Sequence, residues 1–124
     1  MYEVTVRKHF DAAHYLRDYN GRCENLHGHR YEVAITARSR ELDQTGLAFD
    51  FTRLKGVLQE RFLDRYDHVC LNDVNPYTEI NPSAENIART IYLGMREALA
   101  GSPATLHGVT VWESPDSWCT YTED

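Results

Sequence analysis

The stretch Cys23-Glu-Asn-Leu-His27-Gly-His29-Arg-Tyr31-Glu-Val33-Ala-Ile35 decides how this chain is read. His27, His29, Tyr31, Val33 and Ile35 share one phase, with Arg30, Glu32 and Arg38 on the other. A period of two predicts a strand with one buried face. The two histidines are in phase with the apolar side chains, so both imidazoles leave from the same inward face. His14, nine residues before Cys23, offers a third imidazole, expected at the end of a neighbouring strand. Three neutral nitrogen ligands leave one tetrahedral position for substrate or water, which separates a catalytic zinc from a structural one. The expectation is an enzyme with Zn2+ as cofactor and His14, His27 and His29 as metal ligands.

Upstream, Tyr2, Val4, Val6 and Phe10 alternate with Glu3, Thr5, Arg7 and His9, predicting a first strand. The polar stretch from Asp11 to Asn25 is expected to interrupt it, with Asn20-Gly21 as a turn signal. Downstream of a loop around Asp43–Gly46 the period turns helical. Phe51, Leu54, Val57, Leu58 and Phe62 form one stripe, with Asp50 or Thr52 placed to cap it. Asn81-Pro82-Ser83 opens a second helix, whose stripe is Ala84, Ile87, Ala88, Ile91, Met95 and Leu99. Leu106 to Glu113 and Trp118 to Thr122 read as a closing pair of strands. The order β-β-α-α-β-β predicts an α+β fold over residues 1–124 as one domain, a four-stranded antiparallel sheet with two helices on one face. The opposite face is expected to be apolar and uncovered. That face and the open sheet edges predict an oligomer with sites at subunit contacts.

Composition excludes several classes. A formal charge of -6 and the lack of any basic run argue against a nucleic-acid partner, since such binding rests on clustered Lys and Arg. No apolar run approaches membrane-spanning length, so no membrane partner is expected. The start of the chain carries no signal-peptide pattern, and three cysteines at irregular spacing suit a reducing cytoplasm.

Beyond the histidines, four features carry chemistry. Beside a dication the Cys23 thiol would ionise more readily and serve as base or nucleophile. Alternatively Cys23 is the fourth ligand of a closed site, in a non-catalytic zinc-binding oligomer. Cys70 and Cys119 read as small core residues. Asp67-His68 is either a carboxylate–imidazole proton relay or a polar pair that ends a helix. Glu113 shares a face with Val109 and Val111. Its carboxylate either turns to solvent or follows the apolar stripe into a pocket, where it suits a flat heterocycle with two adjacent N–H donors.

Taken together, Phe10-x-Ala-Ala-His14, Cys23-x3-His27-Gly-His29, Asp50-Phe51 leading into Leu54-Lys55, Asp67-His68-x2-Leu71-Asn72, Asn81-Pro-Ser-Ala-Glu85-Asn86 and the strand ending at Glu113 resemble the 6-pyruvoyltetrahydropterin and 6-carboxytetrahydropterin synthase family. The resemblance implies a tunnelling fold, with trimers stacked as a homohexamer and active sites between subunits. It implies His14, His27 and His29 as zinc ligands, Cys23 as the proton-abstracting group, and Asp67 and His68 as its relay. Glu113 would anchor the pterin, with Ser83 and Glu85 as further substrate contacts. The three-residue gap between Cys23 and His27 resembles the bacterial 6-carboxy branch on the queuosine route. That branch turns 7,8-dihydroneopterin triphosphate into 6-carboxy-5,6,7,8-tetrahydropterin, acetaldehyde and triphosphate. Arg22, Arg30 and Lys8 lie near enough in sequence to contact phosphate. Glu24 also makes a Glu-x-x-His27 pattern similar to a branch that cleaves the same pterin for folate. It is a candidate for a second activity, or else a solvated loop residue. A pyruvoyl synthase is the other alternative within the family.

Overall fold

The first strand does not stop at Phe10. In the computed structural model, which describes residues 1–123, β1 spans Tyr2–His14 and β2 spans His27–Ser39. They pair antiparallel in unbroken register from Tyr2↔Ser39 to His14↔His27. The expected break at Asp11 is corrected because the burial phase of Val6 and Phe10 continues through Ala12 and His14. The strand carries its alternation to the residue that matters. β3 (Thr105–Ser114) and β4 (Ser117–Thr122) complete a four-stranded antiparallel sheet in the order β1-β2-β3-β4.

Both helical segments insert between β2 and β3. The first begins as Phe51–Leu58, widens into a π turn over Gln59–Leu63 and closes as Asp64–Tyr66. Asp50 caps it, its carboxylate accepting from the Thr52 N–H at 2.8 Å. The π turn rotates the following residues, so Phe62 and Leu63 are both buried. Phe51, expected in the buried stripe, is exposed: it occupies the first helical turn. The second helix, Ala84–Ala98, buries Ala84, Ile87, Ala88, Ile91, Tyr92 and Met95. Gly94 is required there, since a Cβ would lie 2.3 Å from the Phe62 ring.

One layer of core lies between the helices and the sheet, built from Val33, Ile35, Val109 and Val111 below and Leu54, Leu58, Ile87 and Ile91 above. Each such side chain, fully buried, contributes about 1.5–3 kcal/mol. The other sheet face is polar, which corrects the expectation of an apolar surface. Arg7 pairs with Glu32 and Arg38 with Glu3, Thr5 bonds Thr36 and Thr110 bonds Thr120, and Arg7 lies over Trp112. What stays open is the pair of edges, β1 and β4.

The turn after His14 is fixed by asparagines. Asn72 (4% exposed) accepts from the Tyr15 N–H and donates to the Tyr15 carbonyl, both at 3.0 Å. Asn81 does the same for Arg17, and Asn86 donates to the Asn81 carbonyl. These amides replace a missing strand partner and bring Asn81–Ser83 against the end of β1.

Candidate functional site

Register alone assembles the histidines. His14 and His27 face each other as the last pair of the β1–β2 ladder, and His29 sits two residues along on the same face. Their rings lie mutually edge-on, with centroids 4.6–5.1 Å apart. Glu113 joins them from β3. The β3–β4 ladder shifts between Trp112 and Ser114, skipping Glu113. Glu113's phase with the buried Val109 and Val111 puts its side chain on the face that carries the histidines. One ligand atom from each of His14, His27, His29 and Glu113 falls within 4.8 Å of all the others.

Hydrogen bonds fix which ring nitrogens are available. His14 Nδ1 donates to the Pro82 carbonyl at 2.7 Å, and His27 Nδ1 donates to the Asn25 carbonyl at 2.6 Å. A carbonyl oxygen only accepts, so both Nδ1 atoms carry the proton and both Nε2 atoms present lone pairs. Yet those Nε2 atoms stand 3.0 Å apart. Protonation of His14 does not relieve the contact, because burial foremost holds its pKa below the ordinary histidine value. Burial likewise lowers His29, against the opposing pull of Glu113. Two acceptors face to face call for a cation, and outward-bonded Nδ1 atoms are how ligating histidines are oriented.

Two buried atoms reinforce this. Among the described residues, His29 Nε2 and the Tyr31 hydroxyl have no hydrogen-bond partner. Glu113 Oε1 approaches His29 Nε2 to 3.1 Å and His14 Nε2 to 3.8 Å, a charge contact without hydrogen-bond geometry. A buried polar atom left unsatisfied costs about 1–3 kcal/mol. Three nitrogens and a carboxylate oxygen fit a metal of zinc's ligand preference. The fourth donor of this cluster is Glu113. Cys23 is absent from it, so a closed site of one cysteine and three histidines does not form within the chain.

The Asp67-His68 pair forms a separate cluster with Asp11. His68 Nδ1 lies 2.9 Å from Asp67 Oδ2. The main chain of β1 clamps both: Asp11 N–H donates to Asp67 Oδ1 at 2.9 Å, and His68 N–H donates to the Asp11 carbonyl at 2.6 Å. The Asp11 N–H foremost, then His68, holds the Asp67 carboxyl below the usual range. His68 adopts a left-handed φ of 61°, a strained conformation for a histidine that only its anchors justify. Its side chain is 77% exposed.

The other sequence candidates scatter. Cys23 occupies a short 3-10 turn, Arg22–Glu24, half-buried and unpaired, and joins neither cluster. Glu24 is exposed. Ser83 caps the second helix, its Oγ accepting from the Asn86 N–H at 3.2 Å. Glu85 is exposed two residues further, near enough for its charge to raise the Cys119 thiol, which burial foremost pushes up. Arg30 donates to His9 Nε2 at 2.6 Å, while Lys8 lines a shallow 410 Å³ cavity with Arg7, His9 and Lys55. Sequence reasoning missed Pro82 and Asn25, whose carbonyls set the imidazole tautomers. No side-chain signal marks a carbonyl acceptor.

Comparison with known proteins agrees with the fold. The family model described as 6-pyruvoyl tetrahydropterin synthase matches residues 3–124. The chain is 34% identical over 128 residues to 6-carboxy-5,6,7,8-tetrahydropterin synthase of Bacillus subtilis (strain 168), covering 97% of this chain and 84% of that one. It is 30% identical to 6-pyruvoyl tetrahydrobiopterin synthase of Drosophila melanogaster, covering 95% and 77%. The solved 6-pyruvoyl tetrahydropterin synthase of Caenorhabditis elegans superposes with a TM-score of 0.83 at 28% identity, covering 100% of this chain and 98% of the other.

Proposed function

This chain belongs to the 6-pyruvoyl tetrahydropterin synthase family, and on that premise we propose that it is the lyase that converts 7,8-dihydroneopterin triphosphate to 6-carboxy-5,6,7,8-tetrahydropterin, releasing acetaldehyde and triphosphate. The observation that carries the reading is the convergence of three imidazole Nε2 atoms and Glu113 on one point. The short spacing from Cys23 to His27 and the 6-carboxy-5,6,7,8-tetrahydropterin synthases among its relatives favour the carboxy branch. That product places the protein on the queuosine route. Three unpaired cysteines support a cytoplasmic setting.

His14, His27 and His29 would hold Zn2+. Bound there, zinc supplies a Lewis acid that stabilises negative charge developing on the substrate's side-chain oxygens. Cys23 takes a proton from the carbon chain as thiolate. Asp67 fixes the His68 ring through Nδ1, leaving Nε2 free to exchange a proton on the other side of that chain. Glu113 accepts from the adjacent N–H donors of the pterin, whose flat edge a carboxylate matches in a bidentate manner. Since Cys23 joins neither cluster of its own chain, the exposed His68 and the open edges of β1 and β4 support a homohexamer that completes each site between subunits.

The test is mass-spectrometric product analysis of the zinc-loaded protein incubated with 7,8-dihydroneopterin triphosphate, with an acetaldehyde assay alongside. Carboxypterin with acetaldehyde is the expected result. A pyruvoyl or hydroxymethyl product would overturn the branch and leave the family in place. No turnover with zinc bound would overturn the substrate.

A further inference from the structure

Of the two buried atoms without a partner, the metal reading absorbs His29 Nε2 and leaves the Tyr31 hydroxyl. Tyr31 is 0% exposed. Its ring cannot turn away: Phe10 stacks on it at 4.9 Å and 8°, and His14 and His29 meet it edge-on at 5.7 and 5.5 Å. Buried tyrosines ordinarily keep a hydrogen bond, so a hydroxyl held this firmly without an acceptor marks a place where one arrives. The neighbouring strand names it. The β2–β3 pairing reaches Glu32↔Trp112, and one further step sets Tyr31 beside Glu113 on the face that carries the histidines. Glu113's charge already reaches the hydroxyl, although its Oε1 is turned to His29.

We propose that Tyr31 is a positioning residue for Glu113: with a cation on the three imidazoles, its hydroxyl donates to the Glu113 carboxylate and fixes that carboxylate's orientation. The inference rests on the reading of His14, His27 and His29 as a metal site. A carboxylate beside a bound metal is itself hydrogen-bonded, and such outer partners change metal affinity by about 10–100-fold. The bond also fixes the direction in which the carboxylate faces the substrate, and each oxygen keeps a lone pair for the pterin.

Tyr31→Phe keeps the stacked ring and removes only the O–H. Zinc affinity by chelator competition, on the full-length protein, compares wild type, Tyr31→Phe, Glu113→Ala and the double variant. Tyr31→Phe is expected to bind zinc about 10-fold more weakly, and to cost nothing further once Glu113 is alanine. Its metal-free form should melt no lower than wild type, because it loses only an unpartnered hydroxyl. Unchanged zinc affinity in Tyr31→Phe, or the same loss with Glu113 absent, overturns the proposal. Wild type that binds no zinc overturns the metal reading beneath it. A second measurement needs no variant: ultraviolet difference absorption during zinc titration of wild type should show a buried tyrosine gaining an acceptor. A flat difference spectrum with zinc bound overturns the proposal.

Discussion

The histidine cluster and the groups proposed to move protons are built on opposite kinds of scaffold. His14, His27, His29 and Glu113 stand on three adjacent strands of one sheet, with Pro82 and Asn25 fixing the two facing rings. Cys23 rests on a three-residue 3-10 turn, and His68 on an exposed left-handed corner pinned to Asp11. The first group converges within one chain, while Cys23 and His68 share no cluster among the described residues. A metal tolerates little error in ligand position, so its ligands belong on rigid, paired backbone. On the proposed reading, proton donors and acceptors that meet only by assembly would work once the site is closed, which would tie their chemistry to an oligomer.

The sharpest way to break this comparison is Cys23→Ala. Loss of a positioned acid–base group predicts a fall in kcat of about 10²–10⁴-fold, with zinc content unchanged by metal analysis. Zinc lost together with the thiol would make Cys23 a ligand and erase the distinction. A smaller effect tests assembly directly. His68→Ala should also be inactive, and co-refolding it with Cys23→Ala in equal amounts should restore about a quarter of wild-type sites, because random mixing pairs the intact halves that often. A mixture as inactive as its parents would place both groups in the same chain's site.

How much of this was legible in the sequence follows the same divide. Period-two alternation fixed the phase of His27 and His29, whereas the phase of His14 went unread because the first strand was expected to break at Asp11 and instead runs to His14. The fold order followed from the switch between strand and helix periods. The polar sheet face was legible too, in Glu3, Thr5, Arg7 and Arg38, although the expectation of an apolar face overlooked those residues. The face of Glu113 was legible from its phase with Val109 and Val111, but its approach to His29 was not, since that depends on which strands lie side by side. Tyr31 reads as one more apolar position in phase, and only three dimensions reveal that its hydroxyl is stranded. Cys23 and His68 were legible as residue types, but no pattern in the sequence relates them, and the chain's own fold puts them in no common cluster among the described residues.

Acidification separates the two regions more gently. Burial holds His14 and His29 below the ordinary histidine value of 6.5. The unfolded chain therefore binds protons that the folded chain resists, and stability rises with pH across that range. Chelator-treated protein should melt at progressively lower temperature as pH falls below 6.5, with stability fully present above it. Replacing both histidines by asparagine should flatten that slope. A wild-type melting temperature independent of pH between 7.5 and 5.5 would mean the imidazoles are not held neutral by burial. Asp67, exposed and lowered mainly by the Asp11 N–H, acts in the same direction but at the lower pH of carboxylates.

The smallest effect asks where the substrate half of the site begins. The resemblance assigns Ser83 to the substrate, yet its Oγ accepts from the Asn86 N–H at 3.2 Å, the bond that starts the second helix. The preceding carbonyl, Pro82, already holds His14. If capping is the whole role, Ser83→Ala costs about 1 kcal/mol, a drop of about 4 °C in Tm for a chain of this size, with KM unchanged. Ser83→Asp, an equally good cap, would then restore the Tm. A rise in KM that Ser83→Asp fails to reverse would instead put the hydroxyl on the substrate. The scaffold beneath the metal and the surface that receives the pterin would then share one residue, and the boundary between the two regions would run through the first turn of the second helix.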